Sequence, residues 1–156
     1  MIWHKKHVLK HSVFVWLALI GGLKTADALL MRNIQVSGTC SLCLEHAETV
    51  SHLFFECSYT FSILNGIIPS MQCFLLRPTI LQIFDWVNGA HKDTQEVHNF
   101  YKLVICCVIY FIWKERNNRR FGNSINCNTT LLFQIKRVLF EKLLKWKNAR
   151  ELLGKL

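Results

Sequence analysis

Four residues, Cys40, Cys43, His52 and Cys57, stand in the order C-x2-C-x8-H-x4-C. Thiolate and imidazole are the ligands a borderline-soft divalent cation prefers, and Zn²⁺ in a structural site takes four of them tetrahedrally. Cys40-Ser41-Leu42-Cys43 is spaced so that one tight turn aims both sulfurs at a single ion. His52 and Cys57 are separated by about one and a half turns of an ideal helix, so a helix presenting both to one ion must be locally irregular. His46, three residues past Cys43, competes with His52 as the nitrogen ligand. Four protein ligands leave no position for a reacting water, which points to a structural ion rather than a catalytic one. Glu48 and Glu56 read as solvated surface charges rather than general bases.

The elements that must position these residues are helical. Residues from about Lys10 to Ile20 read as a buried helix ended by Gly21-Gly22, and Thr25 is placed to cap a short helix through Arg32 with Asp27 in its first turn. After Cys57 comes a mixed stretch containing Tyr59 and Phe61, broken near Gly66 and Pro69. Pro78 opens a helix over Thr79 to Val87, stopped by Asn88-Gly89, and residues 90–98 are a polar connection or helix start. The strongest helix signal runs from about Phe100 to Arg120, and a last helix from about Thr129 to Leu153 places Ile135, Val138, Leu139, Trp146 and Leu153 on one stripe. Phe133, Phe140 and Leu144 project elsewhere on it. The expected fold is mostly α, a small helical domain with an irregular CCHC zinc knuckle.

At 156 residues, 51% hydrophobic with five tryptophans, the chain makes one domain or one with a short satellite, and two prolines and seven glycines leave no room for a long linker. Seven cysteines, an odd number with Cys106 and Cys107 adjacent, make a poor disulfide framework. Cys73, Cys106, Cys107 and Cys127 are left as small hydrophobes and a reducing, intracellular compartment (nucleus or cytoplasm) is expected. The N-terminus has the outline of a secretory signal: Lys5, Lys6 and Lys10, an apolar run over 13–20, then Ala26-Asp27-Ala28. Lys24 and Asp27 crowd the would-be cleavage region, which argues against secretion. The apolar run Leu103 to Trp113 is too short to span a bilayer, so no membrane partner is expected.

The net charge of +9 is uneven. Residues 1–100 carry seven Lys/Arg and seven Asp/Glu, whereas residues 101–156 carry twelve against three and supply the whole excess. A basic segment of this kind suits a polyanion, most commonly nucleic acid. Lys114, Arg116, Arg119 and Arg120 form its densest cluster, and Lys136, Arg137, Lys142, Lys145, Lys147 and Arg150 add to it on the next helix. The bland alternative is a solvated helix end, where cations also suit the dipole. Trp113, Phe121 and Trp146 would serve as stacking surfaces for single strands if exposed, though core packing explains them as well. The metal loop itself is acidic, with Glu45, Glu48 and Glu56 and no Lys or Arg, so it would repel a phosphate unless basic residues from elsewhere fold over it.

The ligands sit inside a wider pattern. Ile2-Trp3, Phe14-Val15-Trp16, Lys24-Thr25-Ala26-Asp27-Ala28-Leu29 and Arg32-Asn33-Ile34 lead to Cys40-Ser41-Leu42-Cys43, then Glu48-Thr49 and His52-Leu53-Phe54-Phe55-Glu56-Cys57. In order and spacing these resemble the zinc-binding domain that follows the reverse transcriptase in plant LINE-type (non-LTR) retroelements. Trp113-Lys114-Glu115-Arg116-Asn117 also resembles the segment after that domain. The resemblance implies a zinc knuckle ligated by Cys40, Cys43, His52 and Cys57, over residues 1–65, with residues 66–156 as a helical, basic extension. It further implies an accessory module that handles nucleic acid, RNA or DNA without strong sequence preference, beside a reverse transcriptase polypeptide. Asp27, Asp85 and Asp93 are the only aspartates, and no paired-Asp polymerase signature or acidic nuclease cluster is present, so no enzyme is expected. Met1 falls where the resemblance begins, as though an upstream polymerase were cut away, so a remnant without independent function is one alternative. A protein-interaction module docking apolar helices on a partner is another.

Overall fold

A computed structural model describes residues 2–69, 78–89, 94–122 and 124–156. Cys73, His91 and Asp93 lie outside the described residues. The described chain folds as helices α1 (Leu9–Leu19), α2 (Ala26–Leu30), α3 (Ser58–Ile67), α4 (Ile80–Gly89), α5 (Gln95–Phe121), α6 (Asn128–Leu143) and α7 (Ala149–Leu153), with a π-turn over His52–Glu56. There is no strand among the described residues, only an isolated antiparallel bridge between Thr39 and Ala47. The mostly-α expectation holds.

Helix α5 is the axis of the molecule. Leu103, Val104, Ile105, Cys106, Cys107, Val108, Ile109 and Ile112 are all buried, so the helix is apolar all round because it is packed all round. Helix α1 lies along it, α4 and α6 pack on it, and α3 packs on α6 and on the π-turn. It is long and apolar enough to cross a bilayer by length and composition, but 72% of that apolar window is buried inside the protein. It starts earlier than the sequence pattern suggested, at Gln95, and ends where Gly122 takes φ 81, a left-handed conformation that glycine adopts without a Cβ penalty.

Other boundaries differ for identifiable reasons. Residues 58–67, expected to be mixed, form α3; Gly66 does not break it but lets α6 approach, since a Cβ there would stand 2.8 Å from Leu132 Cδ2. The expected last helix is two, α6 and α7, joined by a turn in which the Trp146 amide donates to the Leu143 carbonyl at 2.8 Å. Thr79 and Gln82 form a reciprocal capping box at the start of α4: the Thr79 amide donates to Gln82 Oε1 at 2.8 Å and the Gln82 amide to Thr79 Oγ1 at 3.3 Å. One hydrophobic cluster runs from Ile2 and Val15 through Leu53, Phe54 and Phe55 to Ile135 and Leu152, crossing residue 65.

Candidate metal centre

The segment between α2 and the π-turn is a tight loop closed on itself. The Glu48 amide donates to the Gly38 carbonyl and the Cys40 amide to the His46 carbonyl, each at 2.8 Å. Inside it the Leu44 amide reaches back to the Cys40 carbonyl at 2.9 Å, with Leu44 at φ 61, so the chain reverses just after Cys43. That reversal puts both sulfurs of the C-x2-C turn on one side. The second ligand pair is positioned by the π-turn: the Cys57 amide donates to the His52 carbonyl at 2.8 Å, closing an i to i+5 ring. This is the irregularity that the His52–Cys57 spacing demands. Leu53, Phe54 and Phe55, all fully buried, anchor the turn, and the Thr60 hydroxyl donates to the Leu53 carbonyl at 2.8 Å.

The result is convergence. One ligand atom from each of Cys40, Cys43, His52 and Cys57 lies within 4.8 Å of the other three. Cys43 Sγ and His52 Nε2 are 3.3 Å apart; tetrahedral zinc would space a sulfur–nitrogen pair by about 3.6 Å. Cys40, His52 and Cys57 are buried and Cys43 is half-buried. The Cys40 thiol is pushed well up, first by its hydrogen bond to Cys57 and then by burial, while the same hydrogen bond holds Cys57 down. Two sulfurs that close share one proton, and a cation that draws on both thiolates takes its place. His46 is exposed, 3.9 Å from the Glu45 carboxylate, with its ring 5.3 Å from that of His52, and with Cys43 and Glu45 it makes a second group of ligand atoms within 4.8 Å that shares the Cys43 sulfur.

Residues 1–63 match the family described as zinc-binding in reverse transcriptase. All four converging residues lie inside the match. No curated protein and no solved structure matches the chain. The family and the Cys3His donor set together make the cofactor one structural Zn²⁺, supplying the cross-link between the loop and the π-turn.

The zinc-binding segment is clamped to the end of α5 by the arginines read from sequence as phosphate contacts. Arg116 is 2% exposed and Glu48 1%. Arg116 Nε donates to Glu48 Oε2 at 3.0 Å and to Oε1 at 3.2 Å, and its Nη2 to the same carboxylate and to the Lys24 carbonyl at 3.1 Å. Glu48 Oε1 also accepts the Ala26 amide at 2.8 Å, capping α2 in place of Thr25, whose hydroxyl is buried without a partner. Arg120 donates to the Ser37 carbonyl at 2.8 Å and to Glu48 Oε1 at 3.4 Å. Arg119 pairs with Glu115 at 2.9 Å, donates to the Leu42 carbonyl at 3.1 Å inside the C-x2-C turn, and lies 4.5 Å over the Tyr59 ring. Basic residues do fold over the acidic loop, but their charge is spent there.

Two sequence readings are therefore corrected. Glu48 is not a solvated charge, because its carboxylate is the hub of a buried network. Arg116 is not placed to contact a phosphate, because it is 2% exposed and its guanidinium is taken up by Glu48, Asn117 and the Lys24 carbonyl, and Arg119 and Arg120 are largely committed to the loop. Of the remaining candidates, Lys114 is exposed, Lys136 Nζ donates to the Leu156 carbonyl at 2.6 Å, and Arg137 is exposed beside Glu141 at 3.8 Å. Trp113 and Trp146 are buried in the core, whereas Phe121 is exposed. Sequence reasoning missed Glu48 because its partner lies 68 residues away. Cys127 is likewise not a buried hydrophobe: it is exposed at the start of α6, bordering a shallow groove of about 730 Å³ shared with Cys43 and Arg119. Hydrogen bonds from Thr129 and Thr130 bring its thiol down to about 7. Cys106 and Cys107 are buried as expected, and burial pushes Cys106 up to about 12.

Proposed function

We propose that this protein is a non-enzymatic, zinc-dependent accessory module that binds nucleic acid, derived from a LINE-type retroelement of plants. The observation that carries the reading is the four-ligand cluster lying within the segment that matches the reverse-transcriptase zinc-binding family. A closed ligand set gives zinc a scaffolding role, and the excess positive charge of the second half favours a polyanionic partner. The polyanion is RNA or DNA bound through its backbone, beside a reverse transcriptase polypeptide and in an intracellular compartment where the thiolates stay reduced. The test has two parts. Protein purified without added metal should carry one zinc per chain, lost when Cys40 and Cys43 are replaced by Ser. The zinc-loaded protein should then bind an oligonucleotide with an affinity that falls steeply with salt. Zinc-free, folded protein would sink the reading at its first step.

A second reading, a protein-interaction module, is favoured by one feature. Trp3, Trp16, Leu19, Leu81 and Phe84 line an apolar groove of about 310 Å³ between α1 and α4. An apolar interface holds its affinity as salt rises, which separates it from phosphate binding.

A further inference from the structure

The two ends of the described chain meet, and lysines gather where they do. Lys6 Nζ lies 4.3 Å over the Trp146 ring, and His4 packs edge-on to the same indole with centroids 6.5 Å apart. Lys10 Nζ lies 5.0 Å over Tyr110, whose ring stacks on His11 at 4.5 Å. The buried His11 imidazole is brought down to about 4, first by burial and then by the charges of Lys10 and Lys142, so α1 and the end of α6 present cations to one ring. Exposed Lys5 adjoins Lys6, and exposed Lys145 and Lys147 flank Trp146. Of the acids on these segments, Glu96 takes up the charge of Lys6 at 3.4 Å, Glu141 lies beside Arg137, and Glu151 is exposed on α7. Trp3, partly exposed, stands edge-on to His7 in the same N-terminal strap at 5.4 Å.

We propose that this junction, built by Lys5 and Lys10 with Lys142, Lys145 and Lys147, is the surface that takes the phosphate backbone of a nucleic acid. The inference rests on the nucleic-acid reading above and gives it a location. In the densest cationic run of the sequence, Arg116, Arg119 and Arg120 are engaged in ion pairs with Glu48 and Glu115, so lysines outside it carry the freer charge. Lysines suit the task, since backbone contact asks for mobile point charges rather than a fixed fork. No linear motif marks the surface, because its halves come from opposite ends of the chain.

The experiment uses the full zinc-loaded chain and a mixed-sequence single-stranded RNA, with affinity followed across salt concentrations. Two variants of equal charge change are compared: K145E/K147E at the junction, and K24E/R32E elsewhere, all at exposed positions. Thermal melts establish that both fold. The junction variant should bind at least about tenfold more weakly at low salt and shed about 1.4 from the slope of log affinity against log salt, two contacts at about 0.7 each. The second variant should stay within about threefold of the parent. Equal losses in both would overturn the junction while leaving nucleic-acid binding intact. No RNA binding by the folded parent would overturn the underlying reading instead. Binding to vesicles of phosphatidylserine and phosphatidylcholine, lost at the junction variant with RNA never bound, would make the partner an acidic lipid surface and refute the proposal.

Discussion

Glu48 and Arg116 form a buried ion pair whose value lies in what it joins. One carboxylate accepts from the first amide of α2 and from two arginines of α5, so the loop carrying Cys40 and Cys43 is fixed against the central helix. Removing Arg116 leaves the buried Glu48 carboxylate with only the longer contact to Arg120 at 3.4 Å. Arg116→Met is expected to cost about 3–5 kcal/mol in urea unfolding, and Arg116→Lys about 1–3 kcal/mol, since Lys keeps the charge but loses the fork. Equal melting of Arg116→Met and parent would show that the network carries no stability. His11 gives a pH prediction. Its folded pKa is about 4 against an ordinary 6.5, so the unfolded chain takes up a proton that the folded chain refuses. Stability is therefore full above about 6.5 and falls as pH drops toward 4, by about 3 kcal/mol at most. His11→Phe keeps the stacking on Tyr110 and should flatten that part of the stability–pH curve; an unchanged curve would assign the acid loss to other groups.

The π-turn shows what a five-residue element contributes to chemistry. Its i to i+5 closure brings His52 and Cys57 to the same side, and the burial of Leu53, Phe54 and Phe55 holds a backbone form that is rarely seen alone. Burial of each phenylalanine contributes about 2–3 kcal/mol toward keeping it. Inserting one alanine after Glu56, an exposed position outside the core, should rotate Cys57 by about 100° away from the other ligands. Zinc content measured by mass spectrometry should then drop well below one per chain. Retention of a full zinc would mean that the loop, not the π-turn, sets the ligand geometry.

The molecule as a whole couples zinc to everything else. The hydrophobic cluster is continuous from the N-terminal strap to α7, and the arginine clamp adds polar ties between the zinc segment and α5. Stripping zinc with a chelator should therefore lower the melting temperature of the entire protein in one transition rather than unfold residues 1–65 alone. Two separated transitions in calorimetry, with the second unmoved by chelation, would divide the chain into independent units.

Spacing made the four metal ligands legible, because coordination fixes residue type and local separation together and both are written in the chain between Cys40 and Cys57. The helices around them were legible for the same reason: apolar periodicity, Pro78 ahead of α4 and Gly21-Gly22 after α1 are local signals. What the chain could not show is where its charges go. Glu48 and Arg116 are far apart in sequence and look like any surface pair, and only the packing of α5 against the zinc loop turns both inward. The same packing buries His11 and brings Lys6 onto Trp146, so the buried pair, the low imidazole and the basic junction are all consequences of long-range contact. Local order follows from neighbouring residues, whereas burial, and with it the fate of every charge, is decided by the fold.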